Sequence, residues 1–200
     1  AVCIFRDTRY QESVPLLFQA IRENNAEIAG IAAAALGSFG GDRICSQLLV
    51  MLRLTRVRHI RLNVISALSL VKRTRSRNKV VSVLTSVLAD TTDLEEVRAI
   101  AAEGLVNALY NRNQSARPYA RAIHTLLEML NDPSPIIRFC SVFALGELRV
   151  QTSTKRLREV VLYDHVKIPR MGTISGEARK AISRIRRGKG DGPGKGNAPN

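Results

Sequence analysis

Apolar residues recur along the chain at helical spacing in four related segments. Anchored on Ala29, Arg61, Arg98 and Arg138, each segment has a small or apolar residue three positions later, a small residue at six and leucine at seven. The anchors lie 32, 37 and 40 residues apart, and periods of this length are typical of stacked helical hairpins. The pattern predicts one helix that recurs four times.

A second apolar segment precedes each of these helices. The preceding segments place apolar residues at i, i+3, i+4 and i+7, which gives each a buried stripe, and they cover residues 14–21, 44–52, 80–88 and 123–130. Each repeat is therefore a predicted pair of helices, A followed by B. No proline occurs between Pro15 and Pro118, as expected of helices, because proline inside a helix costs about 3 kcal/mol.

These pairs predict an all-α fold, an α-solenoid of about five antiparallel helical hairpins with no sheet. The expected hairpins lie near residues 12–41, 42–73, 77–111, 116–149 and 153–187. We expect one repeat domain over residues 1–187, followed by a basic, glycine-rich flexible tail over residues 188–200. Solenoids usually bind other molecules rather than catalyse reactions.

Helix caps are also predicted. Ser134 is expected to cap a B helix with Pro135 at its first position. Asp93 is expected to cap the preceding B helix in the same way. Gly40 or Gly41 is expected to end the first B helix.

The B helices resemble HEAT repeats, particularly the short variety of phycobilisome-lyase-like proteins, whose second helix reads roughly D-x-x-x-V-R-x-x-A-x-x-A-L-G. Ile137-Arg138 followed by Ala144-Leu145-Gly146 carries this resemblance, as does Val97-Arg98. The first repeat departs by having Ala29 in place of arginine, and a fifth copy over residues 176–185 is degenerate. The resemblance covers roughly residues 12–187 and implies the fold. HEAT-like arrays serve as scaffolds, transport receptors, nucleic-acid binders and occasional enzymes, so it does not select a function.

The resemblance also assigns a structural role to some charged residues. In HEAT-like arrays the arginine at the anchor position bonds turn aspartates or exposed carbonyls between repeats. The expected ladder therefore comprises Arg61, Arg98, Arg138, Asp93 and Asp132, and these residues are excluded from the binding residues.

The net charge of +14 is distributed unevenly. Residues 43–89 carry ten basic residues and no carboxylate, and residues 149–200 carry thirteen basic and four acidic residues. Ordinary protein surfaces mix both signs, so we expect a polyanion-binding surface. The basic residues of the second repeat should place positive charge on both edges of the stack. The expected nucleic-acid-binding residues are Arg53, Arg56, Arg58, Lys72, Arg73, Arg75, Arg77, Lys79, Arg184, Arg186, Arg187 and Lys189.

The sequence indicates no catalytic, metal or cofactor site. His59, His124 and His165 lack ligand spacing, and the glycines near the C-terminus do not form a phosphate-binding loop. Cys45 and Cys140 lie in apolar helical stretches and are expected to be core thiols in a reducing compartment. We therefore expect an intracellular protein of the cytoplasm or an organellar matrix, with no catalytic activity, no cofactor, no small-molecule substrate and no membrane insertion.

These patterns favour a scaffold or adaptor that binds structured RNA through phosphates within a large ribonucleoprotein such as a ribosome. The chain has four tyrosines, five phenylalanines and no tryptophan, which disfavours recognition by base stacking and favours contact with the phosphate backbone. Two alternatives stay open. One is a scaffold for proteins only, which grips a partner in the concave face lined by B helices; the other is a phycobilin lyase-like subunit.

Overall fold

Ten α-helices make up nearly all of the chain that the computed structural model describes, which is residues 13–71, 75–110 and 117–187. They are α1 Val14–Ala20, α2 Ala26–Phe39, α3 Asp42–Leu54, α4 Arg58–Leu70, α5 Arg77–Ala89, α6 Glu95–Leu109, α7 Arg117–Glu128, α8 Pro135–Glu147, α9 Thr154–Tyr163 and α10 Ile174–Arg187. Single 3₁₀ turns lie at Met129–Asn131 and Gln151–Ser153. The predicted all-α solenoid of helical pairs is confirmed.

The chain divides into two compact units, residues 1–125 and 126–200. In the first unit, α1, α3 and α5 each pack against the following B helix, and the B helices α2, α4 and α6 pack side by side. Small side chains at the repeated positions make this packing close. A Cβ atom added at Gly104 of α6 would lie 2.8 Å from the Cβ atom of Ser69 in α4.

The repeated small residues and leucines form the core of the first unit, as the sequence predicts. Leu36, Leu68 and Leu105, which occupy the same repeat position, are each no more than 1% exposed. Cys45 is also fully buried. The burial of this leucine in three repeats confirms the predicted register of the repeat.

In the second unit, α10 packs against both α8 and α9. Its core contains Leu145, which is fully buried, and Cys140, which is 2% exposed. Between α9 and α10 the chain departs from the all-helical prediction in a short antiparallel hairpin, β1 Lys167–Ile168 and β2 Gly172–Thr173. Pro169 lies between these strands and Gly172 has a φ of +104°, so the local sequence favours a turn over continued helix.

The predicted caps have mixed outcomes. The Ser134 side chain accepts a hydrogen bond from the Ile137 N–H with Pro135 at the first turn, and Gly40 ends α2 with a φ of +61°. The prediction that Asp93 caps α6 is wrong, because Leu94 occupies the cap position without a side-chain bond. The Asp93 carboxylate is instead paired with Arg61.

Candidate functional site

The turn between α3 and α4 carries three exposed arginines, Arg53, Arg56 and Arg58. One of them is engaged within the protein: the Arg58 guanidinium donates to the Glu96 carboxylate at 2.7 Å. Glu96 lies in the first turn of α6, in the following repeat. The hydrogen bond from Arg58 holds the pKa of Glu96 below its ordinary value.

Two further carboxylates of the same following turn lie close to this arginine cluster. The pKa of Asp90 is lowered mainly by the hydrogen bond from the Thr92 hydroxyl, at 2.6 Å, and to a smaller extent by the positive charges of Arg56 and Arg61. Asp93 pairs directly with Arg61. Residues 43–89 contain no carboxylate. The carboxylates that lie near their arginines come from the turn of the next repeat. On this edge Arg58 and Arg61 pair with Glu96 and Asp93, and Asp90 lies near Arg56, whereas Arg53 makes no ion pair with a described carboxylate.

The opposite edge of the second repeat carries the connection from α4 to α5. This connection meets the start of α3, since the Ser76 N–H donates to the Asp42 carboxylate at 3.0 Å. The Arg77 guanidinium reaches the Ala108 carbonyl near the end of α6, at 3.4 Å. We call this surface the linker edge and define it by its exposed basic residues Arg43, Arg75 and Lys79.

The linker-edge cations differ from those of the turn in their partners. Among the described residues, none of the three makes an ion pair with a carboxylate. The first turn of α5 contains no acidic residue, although a helix N-terminus favours negative charge. This edge therefore carries three exposed cations that make no ion pair with a described carboxylate, beside the single carboxylate of Asp42, which accepts the Ser76 N–H. Lys72 and Arg73 belong to the same connection in sequence and lie outside the described residues.

The predicted residues at the end of α10 separate into two kinds. Arg184 lies 2.9 Å from the Glu147 carboxylate and 2.7 Å from that of Glu177, and its guanidinium lies over the Phe143 ring, 5.6 Å from the centroid. Arg184 therefore joins α8 to α10. Arg186 and Arg187 are exposed in the last turn, and Lys189 lies outside the described residues.

The second unit carries further basic residues that the predicted site omitted. These residues are exposed and make no ion pair with a described carboxylate. They include Lys155, Arg158, Lys167, Arg170 and Arg179. The signal in the sequence was the excess of basic residues after Arg149. Arg43 was omitted in the same way, because it stands alone in the sequence. The packing of repeats places its neighbour Asp42 against Ser76, next to Arg75 in sequence.

The arginines at the anchor positions bond to neighbouring turns. Arg61 donates to the Leu52 and Thr55 carbonyls, both at 3.0 Å, in addition to its ion pair with Asp93. The Arg98 Nε donates to the Leu88 carbonyl at 2.9 Å. These bonds occupy carbonyls at the ends of α3 and α5, which have no partner within their own helices.

Arg138 has the same kind of environment in the second unit. Its guanidinium donates to the Asp132 carbonyl at 2.9 Å and to the Asp164 carboxylate at 2.7 Å. Asp164 was not among the predicted ladder residues, although its position just after an A helix was a usable signal. The Asp132 carboxylate accepts the Ser134 N–H at 2.9 Å.

Within residues 13–71, 75–110 and 117–187, no three or more His, Cys, Asp or Glu side chains are grouped so that they could hold a metal ion. In those same ranges, no helix has both the length and the apolar character required to cross a membrane.

Comparison with known proteins agrees with this architecture. A chain of the complex of CpcE and CpcF of phycocyanin lyase from Nostoc sp. PCC7120 is similar at a TM-score of 0.70 and 24% identity, over 85% of this chain and 98% of that chain. An engineered protein is similar at a TM-score of 0.53 and 16% identity, over 88% of this chain and 81% of that chain. At these identities the likeness is one of fold. No curated protein matches the chain.

The family models match most of the repeats directly. A model described as HEAT repeats matches residues 14–106, and one described as HEAT repeat matches residues 122–148. Together the two matches span more than half of the chain and include all four anchor positions. The resemblance that the sequence carries is thus confirmed, and the chain belongs to the HEAT-repeat family.

Proposed function

We propose that this HEAT-repeat scaffold is non-catalytic and binds structured RNA through the phosphate backbone, with the linker edge as its contact surface. The observation that carries the proposal is the difference between the two edges of the second repeat. On the turn side Arg58 is paired with Glu96 and Asp90 lies near Arg56, although Arg53 and Arg56 make no ion pair with a described carboxylate. On the linker side none of the three exposed cations, Arg43, Arg75 and Lys79, makes such a pair. A ligand rich in phosphates would supply the missing negative charge.

The local electrostatics of α5 support an anionic ligand. Its first turn contains Lys79 and no carboxylate, so an exposed cation lies where the helix dipole is positive; Arg77 of the same turn donates to the Ala108 carbonyl. Such an arrangement is unfavourable by about 0.3–1 kcal/mol. Binding of phosphate groups would relieve this repulsion, because anions are favoured at a helix N-terminus.

The aromatic side chains offer few surfaces for base stacking. Tyr119 and Phe139 are no more than 7% exposed, whereas Tyr110 and Tyr163 are 55% and 82% exposed. None of the three residues that define the linker edge is aromatic. We therefore infer an RNA ligand recognised by its backbone, with little sequence specificity. A large ribonucleoprotein is a suitable setting, since other components would then supply the specificity. The likeness to a chain of a phycocyanin lyase complex extends to the fold.

The test is direct titration of a fluorescently labelled RNA hairpin with the purified chain at several salt concentrations. Each phosphate contact adds about 0.7–0.9 to the slope of log affinity against log salt. The double variant Arg75→Gln/Lys79→Gln should lower that slope by about 1.4–1.8. Circular dichroism should show unchanged helical content, because both side chains are exposed.

The matched control is Arg56→Gln/Arg58→Gln, which removes the same charge from the turn edge. These cations already face Asp90 and Glu96, so the salt slope should change little. Equal losses from the two doubles would attribute binding to net charge and contradict a specific edge. Absence of RNA binding at low salt would reject the proposal.

A further inference from the structure

An open apolar groove lies between the A helices α1 and α3 in the first unit. It has a volume of about 910 Å³ and is lined by side chains that include Phe18, Phe39, Val50 and Leu54. The groove exists because the B helices pack side by side whereas α1 and α3 do not pack along each other. It lies beside the A helices, whereas HEAT-like arrays are expected to hold partners on the face of the B helices.

The outer face of α3 presents apolar side chains where polar ones are expected. Val50 and Leu54 are 54% and 82% exposed, while Leu48 and Leu52 on the inner face are 0% and 4% exposed. Charged or polar residues usually occupy the outer face of such a helix. Exposed apolar residues beside a groove mark an interaction surface.

The walls of the groove restrict the conformation of its occupant. Both walls are helices, whose backbone groups are bonded internally, and neither offers a free strand edge to an extended peptide. A bound segment must therefore satisfy its own backbone N–H and C=O groups. A helix does so, and binding of an amphipathic helix in a groove is an established mode of peptide recognition.

The charges that line the groove indicate which residues should flank the apolar face of that helix. Two exposed arginines, Arg22 and Arg43, line the groove, and neither forms an ion pair with a described carboxylate. Among the described residues that line the groove, Asp42 alone carries a carboxylate, and this carboxylate already accepts the Ser76 N–H. Glutamate or aspartate beside the apolar face would thus meet complementary charge.

We propose that the groove between α1 and α3 binds an amphipathic helix of another protein, with its apolar face against Val50 and Leu54 and its acidic flank toward Arg22 and Arg43. The chain then carries two contact surfaces, an apolar groove for a protein helix and a basic linker edge for RNA. The two surfaces share Arg43, whereas Val50 and Leu54 line only the groove, and Arg75 and Lys79 belong only to the linker edge.

The experiment uses a displayed library of helical peptides with leucine fixed at i, i+3, i+4 and i+7 and all flanking positions randomised. Peptides are selected on the full chain and counter-selected on the variant Val50→Glu/Leu54→Glu. Both positions are exposed and helical, so the variant should fold. Selected peptides should be enriched in Asp and Glu, and a labelled peptide should lose at least tenfold in affinity for the variant.

Two further variants define the site. Leu162→Glu replaces an apolar side chain that is 62% exposed on α9 and should leave peptide affinity unchanged. Arg22→Glu should weaken the acidic peptide and favour the same peptide with its acidic residues replaced by lysine. Failure to recover any groove-dependent peptide, or recovery without acidic enrichment, would overturn the proposal. Self-association of the chain that disappears in Val50→Glu/Leu54→Glu would assign the groove to a second copy and would also overturn it. Neither outcome involves Arg75 or Lys79, so the RNA proposal is tested separately.

Discussion

Removal of the Asp93 carboxylate should strongly destabilise the first unit. The side chains of Arg61 and Asp93 are 7% and 3% exposed, and they join the second repeat to the third. Asp93→Ala leaves the buried Arg61 guanidinium with its bonds to the Leu52 and Thr55 carbonyls but without a counter-charge. Breaking a buried ion pair from one side costs about 3–5 kcal/mol.

The same interface contains a matched control. Arg58 and Glu96 also join the second repeat to the third, but their side chains are 60% and 49% exposed. Water and salt screen such a pair, so Glu96→Ala should cost no more than about 1 kcal/mol. Both substitutions remove one carboxylate and both replace it with alanine, which leaves burial as the main difference between them.

The assay is urea unfolding followed by circular dichroism, with the free energy of unfolding extrapolated to water. The variant Arg61→Met/Asp93→Leu removes both charges and should recover part of the loss seen in Asp93→Ala, because replacing both members of a buried pair avoids an unpaired charge. Equal losses from Asp93→Ala and Glu96→Ala would refute the reasoning. So would a double variant that is less stable than Asp93→Ala.

Three other predictions follow from packing and charge. Gly146→Ala should destabilise the second unit by about 1–3 kcal/mol in thermal unfolding, because its added Cβ would lie 2.6 Å from the Ala181 Cβ. Gly30→Ala is the control: no atom lies within 4 Å of the added Cβ, so this substitution should stabilise the protein by up to about 1 kcal/mol. Leu68→Ala and Leu145→Ala remove side chains that are 1% and 0% exposed and should each cost about 2–5 kcal/mol in urea unfolding, and a loss below about 1 kcal/mol would contradict the repeat register. Arg58→Gln should raise the pKa of Glu96 toward its ordinary value, as measured by carboxyl NMR, because the hydrogen bond from Arg58 is the main cause that lowers this pKa. Since the pKa of Glu96 is lowered in the folded protein, the small contribution of the pair to stability is present above the ordinary pKa and is lost as pH falls through the lowered value.

Local patterns in the sequence determined the helices and the core. A leucine seven residues after each anchor predicts the buried positions Leu36, Leu68, Leu105 and Leu145, because a helix returns a residue to the same face every three or four positions. Ser134 and Gly40 are likewise interpretable from sequence, since their capping bonds reach only a few residues along the chain. These features depend on neighbours in sequence, which is why the sequence alone predicts them.

The tertiary structure decided which charges remain available. Arg58 and Glu96 are 38 residues apart and Arg61 and Asp93 are 32 apart in sequence, so the pairing of these two arginines depends on how adjacent repeats stack. The same stacking brings Ser76 against Asp42 and leaves the groove between α1 and α3. Sequence periodicity specifies which face of a helix is buried but not which residues of the next repeat it meets. The positive surface and the groove are therefore products of the fold, and the helices and core are products of the sequence pattern.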